Sequence, residues 1–365
     1  MTRLKIGGVA LGLMIGVLAA TPANAWKRGN VDVLAVLPAA TGSVEGLTVG
    51  PDDGNIYVPT FGFNTQGGLS GPATLFVISP NGKLINQVTI TTQPPLNPAS
   101  AHMLGLGFTP VTKELLVIDF GANDFKAGDV LKVNPKTGQA SLFINPIPGS
   151  GLNALTFDKN GNVYVSDSFN GVIWKTGPQG GTATQWCSDP LLRPGTGLTP
   201  PFGANGVAFN NKGTILYVAN TAFHQIIKIP VHADGTACSP SIFITGINAP
   251  DGIVFDRDDN LWVCANQEDE IVIIDPTGKV IAKLGDFRGI DPKGIARGFL
   301  FPASLAFSND RSTLYVSNLT LFLPFATGGV GVGPKAIDSA WTLEVSGYTV
   351  SKLRARIPPF PDDNE

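Results

Sequence analysis

Four oxygen-bearing side chains occupy equivalent points of a recurring pattern: Glu45, Asn153, Asn205 and Asp251. Each heads a short apolar run, which leads into a turn and then an alternating strand. The pattern is plainest from Gly203 to Thr221, GANGVAFNNKGTILYVANT. There Asn205 precedes Val207, Ala208 and Phe209, Asn210 to Gly213 turns the chain, and Ile215 to Asn220 alternates. It returns as DGIVFDRDDNLWVCAN from Asp251, NALTFDKNGNVYVSD from Asn153 and EGLTVGPDDGNIYVPT from Glu45. Weaker copies begin at Leu104 and Ala303, whose side chains are hydrocarbon. Two carboxylates and two amides are hard donors, with no His or Cys among them. They suit Ca²⁺ first, and also Mg²⁺ or Mn²⁺, rather than zinc. Two ionised carboxylates neutralise a dication; without one they repel, and at least one pKa rises. Turn capping explains any single Asn, Asp or Glu at a strand start. Four in register among six repeats point to a shared cation site.

The elements that position these residues follow from the spacing. The six leading positions are 45, 104, 153, 205, 251 and 303, so consecutive ones lie 46 to 59 residues apart. That period, with several short strands per unit, predicts an all-β, six-bladed β-propeller with four-stranded blades. Inner strands then surround a central channel, and the leading residues converge at one end of it. Asn81-Gly82 and similar pairs between alternating runs mark hairpins, because both residues tolerate positive φ. No window of helical length has helical periodicity. Val31 to Leu37, ahead of the first repeat, is the strand expected to close the last blade. That blade otherwise takes Leu305–Phe307, Thr313–Ser317 and strand within 341–353.

Composition fits this reading. The chain has 365 residues, 44 of them Gly and 29 Pro, which suits many tight turns. A net charge of −3, with no run of Lys or Arg, argues against nucleic acid as a partner. Residues 1–25 read as a signal peptide: a basic start at Arg3 and Lys5, an apolar stretch from Ile6 to Ala20, and Ala23-Asn24-Ala25 as the cleavage site. The propeller is expected over 26–365, with no membrane span, in the periplasm or outside the cell. Cys187 and Cys238 could bridge neighbouring blades there or remain as two thiols, while Cys264 reads as a small core residue. No heptad or separate association segment speaks to oligomeric state.

The repeat resembles the superfamily of senescence-marker-protein, gluconolactonase and regucalcin-like propellers, with paraoxonase and diisopropyl-fluorophosphatase as more distant relatives. Glu45-Gly46, Asn205-Gly206 and Pro250-Asp251-Gly252 carry the resemblance, each followed by its apolar strand. The resemblance implies that Glu45, Asn153, Asn205 and Asp251 hold a divalent metal, that Asp251 is also a candidate base, and that the chemistry is metal-assisted hydrolysis of a lactone or similar ester. His102, two residues before Leu104, is a second candidate for the catalytic machinery. Asp167 and Asp119 are further carboxylates at strand ends; His224 and His232 sit near outer turns.

Two departures matter. Sugar-lactone hydrolases of that family place an Arg and an Asp where this chain has Gly151 and Ala154, so the groups that grip a polyhydroxylated substrate are missing. Insertions at 61–71 and 318–339 instead supply Phe61, Phe63, Leu321, Phe322, Leu323 and Phe325. The leading expectation is a periplasmic or secreted metal-dependent lactone or ester hydrolase acting on a small molecule. The alternative is an NHL-like or strictosidine-synthase-like propeller that binds a small ligand or a protein on its loop face.

Overall fold

Each repeat folds into an antiparallel sheet, and six sheets stand in a ring whose inner strands contact one another in a closed circuit. The chain is a six-bladed β-propeller. A computed structural model describes residues 28–38, 40, 42–63, 71–92, 102–120, 127–195, 202–237, 239–321 and 341–356. From inside outward, blade one is Thr48–Val49, Ile56–Pro59, Thr74–Ile78 and Leu84–Thr89. Blade two is Met103–Phe108, Leu115–Asp119, Ala127–Val133 and Gln139–Pro148, with Thr91–Thr92 added in parallel at its edge. Blades three, four and five start at Leu152–Phe157, Ala204–Phe209 and Pro250–Phe255. Blade six is Pro302–Phe307, Thr313–Asn318 and Tyr348–Arg354, closed by Val31–Leu37 as expected.

Burial explains the sequence of each strand. Middle strands are covered on both faces and read as near-continuous apolar runs, as in Leu261–Ala265 and Glu270–Ile274. Their side chains meet the next blade: Trp262, Cys264, Ile271 and Ile273 of blade five pack against Leu305, Leu314 and Val316 of blade six. Acidic turns fasten the first hairpins. Asp256 accepts from Trp262 Nε1 at 2.9 Å, and Asp53 from the Tyr57 hydroxyl at 2.7 Å.

The inner strands carry a feature that the sequence pattern did not announce. Pairing slips by one residue just past Met103, Leu152, Ala204, Pro250 and Pro302. Blade one does the same between the Val44–Thr60 bridge and the Thr48–Tyr57 pair. The extra residue falls at each leading position, which therefore lies inside the strand in blades two to six rather than ahead of it. Such a bulge turns a side chain away from the ordinary alternation. The glycine that follows permits the bulges of adjacent blades to nest. A Cβ on Gly46 would lie 2.1 Å from the Leu104 carbonyl oxygen, and one on Gly206 would lie 2.1 Å from that of Asp251.

Other departures are local. Residues 287–298 form an extra hairpin, Phe287–Ile290 with Ala296–Gly298, between blades five and six. The segment 341–353 holds one strand, preceded by the 3-10 turn Thr342–Glu344. Residues 1–25, Cys238, and most of both insertions (64–70 and 322–339) lie outside the described residues, as do Phe322, Leu323 and Phe325. Among the described residues, no helix is long and apolar enough to cross a membrane.

Gly206→Ala should therefore destabilise the propeller by about 2 kcal/mol or more, because backbone must move to admit the methyl group. Gly177→Ala, with nothing within 4 Å, should stay within about 0.5 kcal/mol in the same urea titrations. Equal losses at the two positions would contradict the nesting of the inner strands.

Candidate functional site

The bulges deliver Glu45, Asn153, Asn205 and Asp251 to one cavity on the propeller axis. Leu104 of blade two also lines it; Ala303 of blade six is fully buried beside it. All four polar side chains are buried, and each presents one oxygen without a hydrogen-bond partner among the described residues: Glu45 Oε2, Asn153 Oδ1, Asn205 Oδ1 and Asp251 Oδ1. Folded proteins seldom leave buried oxygens unpaired, since each costs about 1–3 kcal/mol. Four on one cavity form a donor set, and a hard cation is the partner that such a set could hold. Among the described residues no three of His, Cys, Asp and Glu cluster. Half of this set is amide.

Neighbouring side chains fix how these oxygens point. Thr221 Oγ1 donates its one proton to the Pro250 carbonyl at 2.8 Å, so toward Asn205 it can only accept. It accepts from Asn205 Nδ2 at 3.0 Å, which leaves Asn205 Oδ1 facing the cavity. Asn266 Nδ2 donates to Asp251 Oδ2 at 3.1 Å, while Asn266 Oδ1 accepts from Gln267 Nε2 at 3.4 Å. Asp251 is thus held by one oxygen and open at the other.

The electrostatics match two uncompensated carboxylates. Burial, and then the Asp251 charge, push the Glu45 carboxyl well above its usual range. Burial also lifts Asp251 to about 7, against the opposing hydrogen bonds from Asn266 and Asn205. The buried Cys264 thiol, raised by burial and by both carboxylates, is kept protonated as a small core side chain.

Other expected residues lie elsewhere. His102 is fully buried and absent from the described cavity lining; its Nδ1 bonds the Phe61 carbonyl at 3.1 Å, and its ring packs on Phe61 and Phe63. It therefore lies against Phe61, which does line the cavity. Asp167 is consumed by its own turn, accepting from the amides of Gly151, Phe169 and Asn170 and from Trp174 Nε1. Asp119 faces Asp129 across two strands of blade two, and burial followed by the Asp119 charge lifts Asp129 to about 8.

Residue-by-residue reading missed Thr221 and Asn266, although both directly follow the second strand of a repeat, and aligning the repeats there would have found them. It also missed two braces. Ala249 (φ 46°) and Phe301 (φ 59°) line the cavity in left-handed conformations. The Ala249 N–H donates to His224 Nδ1 at 2.9 Å, and the Phe301 N–H to Asp269 Oδ1 at 2.7 Å. Strained backbone held this way is typical of binding sites.

The chain resembles known proteins in part of its sequence and in its fold. A family model described as SMP-30/Gluconolactonase/LRE-like region matches residues 199–285, the stretch that holds Asn205 and Asp251. Within residues 199–285 the chain is similar to that family. The protein named Lactonase drp35 from Staphylococcus haemolyticus is 27% identical over 139 residues, 36% of this chain and 41% of that protein. The chain thus spans about two-fifths of the length of the curated relatives it matches. A Xanthomonas campestris structure described as a gluconolactonase aligns with a TM-score of 0.59 at 14% identity, covering 90% of each chain. A structure from Agrobacterium tumefaciens described as a calcium-binding protein, regucalcin, aligns at 0.56 and 18%, covering 91% of this chain and 96% of that one. These two share the propeller fold with this chain.

A pH dependence follows for the chelated protein. Asp251 binds its proton more tightly folded than unfolded, so its contribution is full below its unfolded pKa and is lost as pH rises toward about 7. Stability in chelator should therefore fall between about pH 4 and 7, by up to roughly 1.4 kcal/mol per unit. Asp251→Asn should flatten this slope in urea titrations. A wild-type slope of the opposite sign would contradict the buried carboxylate pair.

Proposed function

We propose that this protein is a hydrolase of lactones or similar esters, with one hard dication held by Glu45, Asn153, Asn205 and Asp251. The observation that carries the reading is the set of four unpartnered buried oxygens, drawn from four blades and lining one cavity. Two carboxylates and two neutral amides give a donor set whose charge balances a dication. Ca²⁺ fits first, and Mg²⁺ or Mn²⁺ suits the same donors. The names of the curated relative and of the gluconolactonase-like structures support lactone hydrolysis. The calcium-binding description of the Agrobacterium structure supports the choice of ion.

Bound there, the dication would supply Lewis acidity toward a substrate carbonyl oxygen. The chain's residues do the rest. Glu45, Asn153, Asn205 and Asp251 fix the reacting group on the axis. Thr221 and Asn266 hold Asn205 and Asp251 in orientation. Asp251 Oδ2, steadied by Asn266, retains a lone pair and is the acceptor we assign for the proton of an attacking water. His102, behind Phe61, takes no part in this assignment. The basic start, apolar stretch and Ala23-Asn24-Ala25 support export of the protein to the periplasm or beyond the cell.

Ca²⁺ should raise the melting temperature of the EDTA-treated protein, and Asp251→Ala should remove both that shift and at least ~1,000-fold of kcat/KM on a lactone panel. Identical melting with EDTA and with Ca²⁺ would overturn the cation site. Thr221→Val should weaken Ca²⁺ about 10- to 100-fold by calorimetry, with Thr221→Ser restoring most of it. A Thr221→Val variant of unchanged affinity would show that the hydroxyl does not set the Asn205 amide.

A further inference from the structure

We infer that the substrate carries a hydrocarbon substituent, which lies on an aromatic wall running through blades one to four; this rests on the lactonase reading above. The wall is a chain of ring contacts. Phe63 meets Phe61 with centroids 4.8 Å apart, Phe61 meets Phe120 at 6.1 Å, Phe120 meets Phe169 at 5.3 Å, and Phe169 stacks on Phe202 at 6.2 Å. Phe61, Phe120 and Phe202 face the cavity. Phe169 packs behind Phe120 and Phe202. A Cβ on Gly151 would lie 2.7 Å from its ring. Phe301, Leu319 and Leu321 complete the apolar lining on the side of blades five and six.

Counting polar groups leads to the same class. The four unpartnered oxygens are committed to the cation. Thr221 spends its proton on Pro250 and accepts from Asn205. Asn266 gives one proton to Asp251 and accepts from Gln267. Among the described lining residues, the Gln267 amide, Asn153 Nδ2 and the second Asn266 Nδ2 proton are the side-chain groups left for a ligand. Among the described residues, a lactone decorated with several hydroxyls finds few partners, at roughly five- to hundredfold in binding for each hydroxyl left unpaired. An alkyl or aryl substituent instead gains about two- to fourfold per methylene as it covers the rings.

The test uses the full Ca²⁺-loaded chain and a series of γ-butyrolactone, γ-hexalactone, γ-nonalactone and δ-gluconolactone. We expect kcat/KM to climb by about two- to fourfold per added methylene. We expect δ-gluconolactone to fall at least roughly tenfold below γ-hexalactone. A flat or falling series, or δ-gluconolactone turned over as well as γ-nonalactone, would overturn the inference and leave the lactonase reading standing. Phe120→Ala should lower kcat/KM for γ-nonalactone about tenfold more than for γ-butyrolactone, mainly through KM, and Phe202→Leu should do so more mildly if the first variant does not fold. Equal losses on both lactones would overturn the wall's part in selectivity. Should no lactone be hydrolysed, the lactonase reading falls by itself, and the same compounds serve as inert ligands. Calorimetric binding of γ-nonalactone over δ-gluconolactone, with a negative heat-capacity change, then supports the wall, and absence of binding overturns it.

Discussion

Burial of like charge governs this molecule. Glu45 and Asp251 come from the first and fifth blades, and the ring of inner strands sets both beside one cavity. Removing two carboxylates from water without a counter-charge is unfavourable, so both hold protons to unusually high pH. The energy of closing the propeller, spread over the apolar seams between blades, offsets the cost.

The repeat becomes a site through its backbone. One extra residue in each inner strand turns the leading side chain out of the ordinary alternation and toward the axis. Glycine after it, at four of the six positions, lets each inner strand approach the carbonyl of its neighbour. The architecture is symmetric and the chemistry is not: Asn, Asn and Asp stand in blades three to five and Glu in blade one, while blades two and six present Leu104 and Ala303. Thr221 and Asn266 add polar partners at the ends of second strands, where blades one, two and six carry Phe61, Phe120 and Leu319. The cavity has a charged sector and a hydrocarbon sector, each built from equivalent positions of the same repeat.

The fold alone does not choose a reaction, since propellers host hydrolases, lyases and binding proteins alike. What distinguishes this one is local: two amides whose oxygens face the axis, and two carboxylates with one open oxygen each. The braces at Ala249 and Phe301 hold the cavity lining at the starts of blades five and six. Each is a non-glycine residue with positive φ, preceding a proline, and each backbone N–H is captured by a side chain from the preceding blade.

Much of this was legible in the chain. Apolar runs recurring at a period of about 50 residues, with Asn-Gly and Asp-Gly turns, determined a six-bladed ring, because strand alternation and turn chemistry are local properties. Register among the repeats likewise singled out Glu45, Asn153, Asn205 and Asp251. Tertiary structure decided what depends on distant segments meeting. It packed His102 against Phe61, turned Asp167 into a turn partner, recruited Thr221 and Asn266, and linked Phe61, Phe120, Phe169 and Phe202 into one chain of ring contacts. Those outcomes depend on which side chains from different blades come within reach of each other. No periodicity along a single strand encodes that, because it is set by the bulges and by the close approach of neighbouring backbones.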